Sequence, residues 1–278
     1  MTDLGSIDPT DIDLAASLER LAETQPLVQS ITNTVTISDV ANLVLHWGAL
    51  PVMADSPGDA AEMAAAADAL VLNIGQVPDS RVEAMCEAGE TATDRGIPIV
   101  LDPVGVGSTP TRDSVAERLL SELEFAAIKG NYGEISALAG VEADVKGVES
   151  VGQYDEIEAT ARSLADSTGS TVVASGVEDI VADASGAVRV TVGHEMLGSV
   201  VGTGCMLGAT VGAFCAGGID GIAPLEATLA FGLAGEHAAD LEYAGPGSYR
   251  TNFHDAVAGL SSEHVTAIDL DDRLYPVG

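Results

Sequence analysis

The sequence predicts an α/β fold in three layers, a largely parallel central sheet with helices on both faces and one antiparallel hairpin. Three observations predict it. Ala69 to Asn73 and Pro98 to Asp102 are continuous apolar runs that end in a polar residue, the pattern of parallel strands buried on both faces. Segments of helical periodicity fill the intervals between such runs. Ile180 to Ala182 and Ala187 to Val192 flank Asp183–Gly186, which reads as a hairpin turn. With 278 residues, 46% of them hydrophobic, the chain is long enough to bury a large core. No linker interrupts it, so residues 1–278 are expected to form a single domain.

Taken in order, Asp8-Pro9 supplies an N-cap and a first-turn proline for a helix to about Glu23, with Ile12, Leu14, Leu18 and Leu21 on its apolar side. Leu27 to Ile31 reads as a short strand. Thr36-x-x-Asp39 is a capping box that opens a helix to Trp47, stopped at Gly48. Pro51 to Met53 reads as a second short strand, and Ser56-Pro57 caps an alanine-rich helix. Helices over about Asp79–Arg95 and Arg112–Leu123 lead into strands at Pro98–Asp102 and Phe125–Lys129. A helix from about Tyr154 to Leu164 precedes a strand at Thr171–Ala174. Beyond the hairpin the chain is mostly helical, from about Pro224 to Tyr243 and again from Ser248 to Leu260.

Between the hairpin and those helices lies Met196–Ile219, without a charged residue in a chain of formal charge -32. Gly202-Thr203-Gly204 reads as a turn of small residues, and Cys205 opens an apolar helical run with Met206, Leu207, Val211 and Phe214. That puts backbone N–H groups and a thiol at a helix N-terminus, where unpaired donors and about half a positive charge suit an anion such as a phosphate. The same field is expected to lower the pKa of Cys205. Three other readings compete. The stretch has the length of a membrane span, and Gly204, Gly208 and Gly212 have the spacing of packed membrane helices, but its glycines dilute the hydrophobicity and no Lys or Arg flanks it. A buried helix in a soluble fold accounts for the small residues equally well. A dinucleotide fingerprint fails, because Gly208 comes one residue too late.

Forty-three acidic residues oppose eleven basic ones, and the acids are scattered along the whole chain, so a disordered acidic tail does not explain them. A hydrated acidic surface suited to a high-salt cytoplasm does, since salt screens its self-repulsion. Nucleic acid and anionic membranes are not expected partners. The polar, acidic start of the chain gives no sign of a signal peptide, and a cytoplasmic location is expected. Cys86, Cys205 and Cys215 have no metal-ligand spacing and support neither a disulfide framework nor a zinc site.

In a doubly wound sheet the ligand lies beyond the carboxyl ends of the strands. Asn33, Asn73, Asp102, Asn131, Glu134 and Ser175, with the Gly202–Cys205 turn across from them, are therefore the candidates for chemistry. Two carboxylates near a phosphate-binding helix end, Asp102 and Glu134, suit magnesium, which takes one or two protein carboxylates plus waters and phosphate oxygens. The chain has no GxxxxGK[ST], so a Walker loop is excluded.

LVQSITN (27–33), GALPVMA (48–54), LVLNIG (70–75), LDPVGVG (101–107), IKGNYGEI (128–135), VGTGC (201–205) and GPGSY (245–249) stand in the order and spacing of hydroxyethylthiazole kinases. The resemblance covers nearly the whole chain. It implies a ribokinase-like fold and ATP-dependent phosphorylation of the hydroxyl of 4-methyl-5-(2-hydroxyethyl)thiazole, a step towards thiamine. It also implies a role for each matching position. Cys205 is the base, standing where most of the superfamily has aspartate, and Gly202, Thr203 and Gly204 form the anion hole. Asn33, Met53 and Gly202 line the thiazole site, against a neighbouring subunit of a homotrimer. Asp102 and Glu134 hold magnesium and its waters, and Lys129, Asn131 and Ser175 meet ATP. The family usually has His at Gln29, Arg at Lys129 and Thr at Ser175, and lysine lacks the fork geometry of guanidinium. A hydroxymethylpyrimidine-type kinase and a non-catalytic thiazole or nucleotide sensor are the alternatives; Cys205 in place of aspartate speaks against the first, and intact Asp102, Glu134 and Cys205 against the second.

Overall fold

The computed structural model describes residues 4–141, 145–146, 149–150, 156–218 and 221–277. Its helices are α1 (Leu14–Thr24), α2 (Ile37–His46), α3 (Asp59–Ala64), α4 (Asp79–Arg95), α5 (Pro110–Glu122), α6 (Tyr132–Leu138), α7 (Ile157–Thr168), α8 (Thr203–Ala216), α9 (Ala223–Asp240), α10 (Pro246–Gly259) and α11 (Ser262–Thr266). Its strands are β1 (Leu27–Ile31), β2 (Leu50–Val52), β3 (Ala69–Asn73), β4 (Ile99–Asp102), β5 (Ala127–Asn131), β6 (Val145–Lys146), β7 (Glu149–Ser150), β8 (Thr171–Ser175), β9 (Asp179–Ala182), β10 (Ala187–Val190) and β11 (Leu274–Val277). A nine-stranded sheet runs β11-β10-β9-β8-β5-β4-β3-β1-β2, parallel from β8 to β2 and antiparallel from β8 outward to β11. β6 and β7 form a separate antiparallel pair.

Alternation along each strand sorts the side chains into two cores, because successive residues point to opposite faces. Val28, Val71, Val100, Val173 and Val181 face the layer that includes α1, α2, α8, α9 and α10. Leu70, Leu72, Ile99, Leu101, Ile128 and Val172 face the layer that includes α4, α5 and α7. The expected three-layer fold is therefore present. α8 is buried from Met206 to Phe214 and lies across the sheet centre. A Cβ on Gly212 would come within 2.3 Å of Val71, so glycine there lets helix and strand touch. At 14 residues the helix is too short to span a bilayer, and among the described residues no helix is long and apolar enough to do so. The stripe of Gly204, Gly208 and Gly212 is thus a device for close packing on the sheet.

Several local expectations give way to competing side chains. The first helix is broken into a 3-10 turn, Pro9–Asp11, and α1. Asp11 accepts from the Asp8 amide at 3.1 Å and Asp13 accepts from the Ala16 amide at 2.9 Å, so two caps stand where one was expected. The Thr36–Asp39 capping box does not form, because Asp39 is drawn to Arg250 while Asn33 Oδ1 takes the amides of Val35 and Thr36 at 3.1 and 3.2 Å. α3 starts after Gly58, where the Ser56 carbonyl accepts from the Ala60 amide at 2.9 Å. β5 lies two residues later than expected and runs directly into α6, which the sequence reading passed over. The helix expected from about Tyr154 begins at Ile157, and Tyr154 itself lies outside the described residues, as does Ile219. β11 was not anticipated either; it holds Pro276 at the sheet edge, where a missing N–H breaks no inner ladder.

Candidate active site

Asn73, Asp102, Asn131 and Ser175 are the last residues of β3, β4, β5 and β8, and Asn33 follows β1 by two residues. Register pairs Asn73 with Asp102 and Asn131 with Ser175, so these side chains emerge along one edge of the sheet. The direction of chain progress reverses here, since β1 is followed by β2 on one side and by β3, β4, β5 and β8 on the other. This is the switch point at which doubly wound sheets open a crevice.

Asp102 is fully buried and Lys129 nearly so. Lys129 Nζ lies 3.5 Å from Asp102 Oδ1, while Asn73 Nδ2 donates a short hydrogen bond to Asp102 Oδ2. Asn73 Oδ1 in turn accepts from Asn33 Nδ2 at 3.1 Å and from the Gly75 amide at 3.0 Å. Asn33 Nδ2 also lies 3.4 Å from Cys205 Sγ, which joins the thiol to the carboxylate through two amides. Burial pushes Asp102 up from the ordinary carboxylate range, opposed by the Lys129 ammonium. Burial pulls Lys129 down, but the carboxylates of Asp102 and Glu134 outweigh it and keep the ammonium charged. Asp102 Oδ1 is buried without a close hydrogen bond and faces the Lys129 ammonium at 3.5 Å, so part of its capacity as an acceptor remains for a second cation.

Glu134 sits in the first turn of α6. Its Oε2 accepts from the Asn131 amide at 2.8 Å, while Asn131 Oδ1 accepts from the Glu134 amide at 2.9 Å, a reciprocal capping box. Its Oε1 accepts from the Gly105 amide at 2.7 Å. Both oxygens thus already hold backbone, and Glu134 ties the 103–107 loop to the end of β5. Burial raises its pKa, with Lys129 acting the other way.

α8 points its N-terminus at this edge. Gly202, at φ +96°, turns the chain into the helix, and no side chain caps the end. Met206 is the first residue whose amide reaches an acceptor in the turn, the Gly202 carbonyl at 2.8 Å, so the amides of Thr203, Gly204 and Cys205 precede the helical ladder. The Thr203 hydroxyl donates to the Leu197 carbonyl at 2.9 Å and holds this turn in place. A Cβ on Gly204 would lie 3.1 Å from Lys129 Nζ, and one on Gly208 3.2 Å from Asp102 Oδ2. The missing side chains bring the helix end onto the buried ion pair. The expected lowering of the Cys205 pKa is reversed: burial and the nearby Asp102 carboxylate push the thiol up, and Lys129 only partly offsets them.

The remaining candidates are more dispersed. Ser175 Oγ donates to the Gly130 carbonyl at 3.3 Å, on the Lys129 strand. Met53, just after β2, is half-buried against the core of the α8 layer. Gln29 takes no part in the edge; its Nε2 donates to the carbonyls of Ala54 and Ala60 at 3.2 and 3.0 Å and ties down the chain after β2. Two residues gain importance over the sequence reading. Asn73, a candidate for chemistry to which the sequence assigns no particular role, links Asp102 to Asn33. Arg112 of α5 reaches over Gly105 to donate to the Gly75 carbonyl at 3.1 Å, and no motif signalled it because the contact joins segments distant in sequence.

A family model described as "Hydroxyethylthiazole kinase family" matches residues 18–263. The chain is 50% identical over 276 residues to the hydroxyethylthiazole kinase of Haloquadratum walsbyi, covering 98% of this chain and 96% of that one. It superposes on the solved structure of a hydroxyethylthiazole kinase protein from Pyrococcus horikoshii OT3 with a TM-score of 0.85, at 36% identity over 95% of this chain and 99% of that one. A ribokinase-like superfamily protein from Enterococcus faecalis V583 shares the fold at 13% identity, with a TM-score of 0.61 over 92% of each chain.

Proposed function

The chain belongs to the hydroxyethylthiazole kinase family, and on that premise we infer that it transfers the terminal phosphoryl group of ATP to the hydroxyl of 4-methyl-5-(2-hydroxyethyl)thiazole. The observation that carries this reading is the convergence, on one edge of the sheet, of a thiol, uncapped helix amides, a buried ammonium and a buried carboxylate. Phosphoryl transfer asks a protein chiefly to position two oxygens in line and to stabilise charge. The helix end with Gly202, Thr203 and Gly204 receives the transferring phosphoryl oxygens, and Lys129 adds a fixed positive charge beneath Gly204. Cys205 takes the proton from the alcohol as its oxygen attacks phosphorus, and ADP leaves with the electrons of the broken bond. Asn33, Met53 and Gly202 bound the thiazole; Asn131 and Ser175, at the ends of β5 and β8, face the nucleotide.

ATP kinases of this family work with a divalent metal, for which we favour magnesium. The donor set fits it. Asp102 Oδ1 makes no close hydrogen bond and could ligate the ion beside the Lys129 ammonium at 3.5 Å, while Glu134, with both oxygens on amides, would act through water. Magnesium takes one or two protein carboxylates and completes its shell with waters and phosphate oxygens, which two acids at this edge could accommodate. The metal supplies neutralisation of phosphate charge.

We read the chain as one kinase domain of a cytoplasmic enzyme, where ATP is available. We also propose a homotrimer in which a second subunit covers the site, where the exposed Val35 and Val201, close in sequence to Asn33 and Gly202, would be covered. ADP release on mixing protein, ATP, magnesium and the thiazole alcohol tests the activity, with hydroxymethylpyrimidine as the competing acceptor. Binding of thiazole without turnover would replace this reading by a sensor, and turnover of the pyrimidine alone by the other kinase. Sedimentation analysis tests the trimer.

A further inference from the structure

His46 ends α2 and His254 lies on α10, and the two meet at a surface cavity of about 300 Å³ that Asp39, Asn42, Arg250 and Asp255 also line. Their rings are 5.3 Å apart at an interplanar angle of 84°, and the two Nδ1 atoms share a hydrogen bond at 3.3 Å, whose proton a bound ion would replace. Two imidazoles bound to one tetrahedral ion at about 2.0–2.1 Å hold their nitrogens about 3.3–3.4 Å apart. On the far side of one ring, His254 Nε2 is 3.7 Å from Asp39 Oδ1, and Asp39 is itself paired with Arg250. The carboxylate stands behind the distal nitrogen at a distance too long for a hydrogen bond, and a short closure would give the arrangement of carboxylate–histidine–metal triads.

The charges around the pair suit a cation. Asp39, Asp255 and Arg250 leave one net negative charge beside the two rings. Burial lowers the pKa of both histidines, against the nearby carboxylates, and so favours the neutral, ligating form. Among the described residues no third His, Cys, Asp or Glu completes the set, so the other positions of the ion fall to water, for which the cavity has room. None of these residues takes part in the phosphoryl-transfer site.

We propose that His46 and His254 form a second metal site, open to water, that takes a borderline divalent transition ion of the zinc type and bridges α2 to α10. The inference concerns a separate place in the fold and stands whether or not the thiazole is the substrate.

Calorimetric titration of the metal-free chain with zinc chloride, in molar potassium chloride, tests it. The titration is run in a Cys205→Ser background so that this thiol cannot account for uptake. One ion per chain is expected, with magnesium unable to compete. His46→Gln and His254→Gln should each remove it, and Asp39→Asn should weaken it by about 10–100-fold. Cobalt at the site should give the intense visible bands of four-coordination. Zinc uptake that persists in either folded histidine variant overturns the proposal, as does an Asp39→Asn affinity equal to that of the parent. Should a histidine variant fail to fold by circular dichroism, the Asp39→Asn affinity decides alone.

Discussion

Cys205 works against its surroundings as a base, since burial and Asp102 hold its thiol above the ordinary range. Turnover should therefore rise with pH into the region above about 8.5, the reference value for a free thiol. Cys205→Ala should lower kcat by about 10–10³-fold, because a base contributes about 10²–10⁴ and positioning survives its loss. Cys205→Asp should remain active, with its pH limb moved to lower pH; a pH profile of kcat for all three proteins checks this, and full turnover by the alanine variant would remove Cys205 from the chemistry. Glu134→Gln offers one acceptor to two amides, so Gly105 or Asn131 loses its partner at a cost of about 1–3 kcal/mol. Its thermal midpoint and kcat should fall together, while calorimetry shows thiazole affinity nearly intact. Far from the site, Glu226 is buried on α9 with Oε2 accepting from Ser17 at 2.7 Å, and burial lifts its pKa to about 7. Between the unfolded value of about 4.3 and that folded value the native state holds the extra proton, so stability falls as pH rises through this window. Glu226→Gln, which keeps an acceptor for Ser17, should stabilise the fold by on the order of 2 kcal/mol at about pH 8 and by almost nothing near pH 4, as paired denaturation curves would show.

Elements differed in how far their residues announced them. β3 was legible to the residue because an apolar run that ends in a polar residue has one solution when both faces are covered, and β1 fell on the expected residues although Gln29 and Ser30 interrupt its apolar pattern. α4 was legible from its period. α6 was not, since Tyr132–Leu138 is two turns long and its start, Asn131-x-x-Glu134, also reads as a loop with site residues. In the candidate site, the polar strand ends and the Gly202–Cys205 turn were legible from their positions. The bonds among them were not, because Asn33, Asn73, Asp102 and Cys205 meet only through tertiary packing. The glycines of α8 provide a test at this scale. Gly212→Ala would place a methyl 2.3 Å from Val71, an overpacking worth about 1–3 kcal/mol, and should lower the thermal midpoint with little change in kcat per folded molecule. Gly208→Ala presses instead on Asp102, at 3.2 Å, and should lower kcat more than the midpoint. Equal effects of the two substitutions on both quantities would show that the stripe does not divide between packing and site.

At the scale of the molecule the formal charge of -32 dominates. Self-repulsion of that size is screened only when the Debye length falls to about 3 Å, near molar salt, so the thermal midpoint should climb between low and molar potassium chloride. Salts that differ in exclusion from apolar surface separate screening from salting-out, and a flat midpoint would dispose of the high-salt adaptation. β11 bears on a different matter, the order in which the chain emerges during synthesis. Its partner β10 is complete at Val190, yet the residues that cover its outer edge, Leu274–Val277, come only after α8, α9 and α10 have been made. Until then a nascent chain carries an open strand edge, apolar but for Arg189, able to pair with the same edge on a neighbour. Slow release from the ribosome would lengthen that exposure, and a chain stopped before Leu274 should be recovered as aggregate while its parallel strands are already in place.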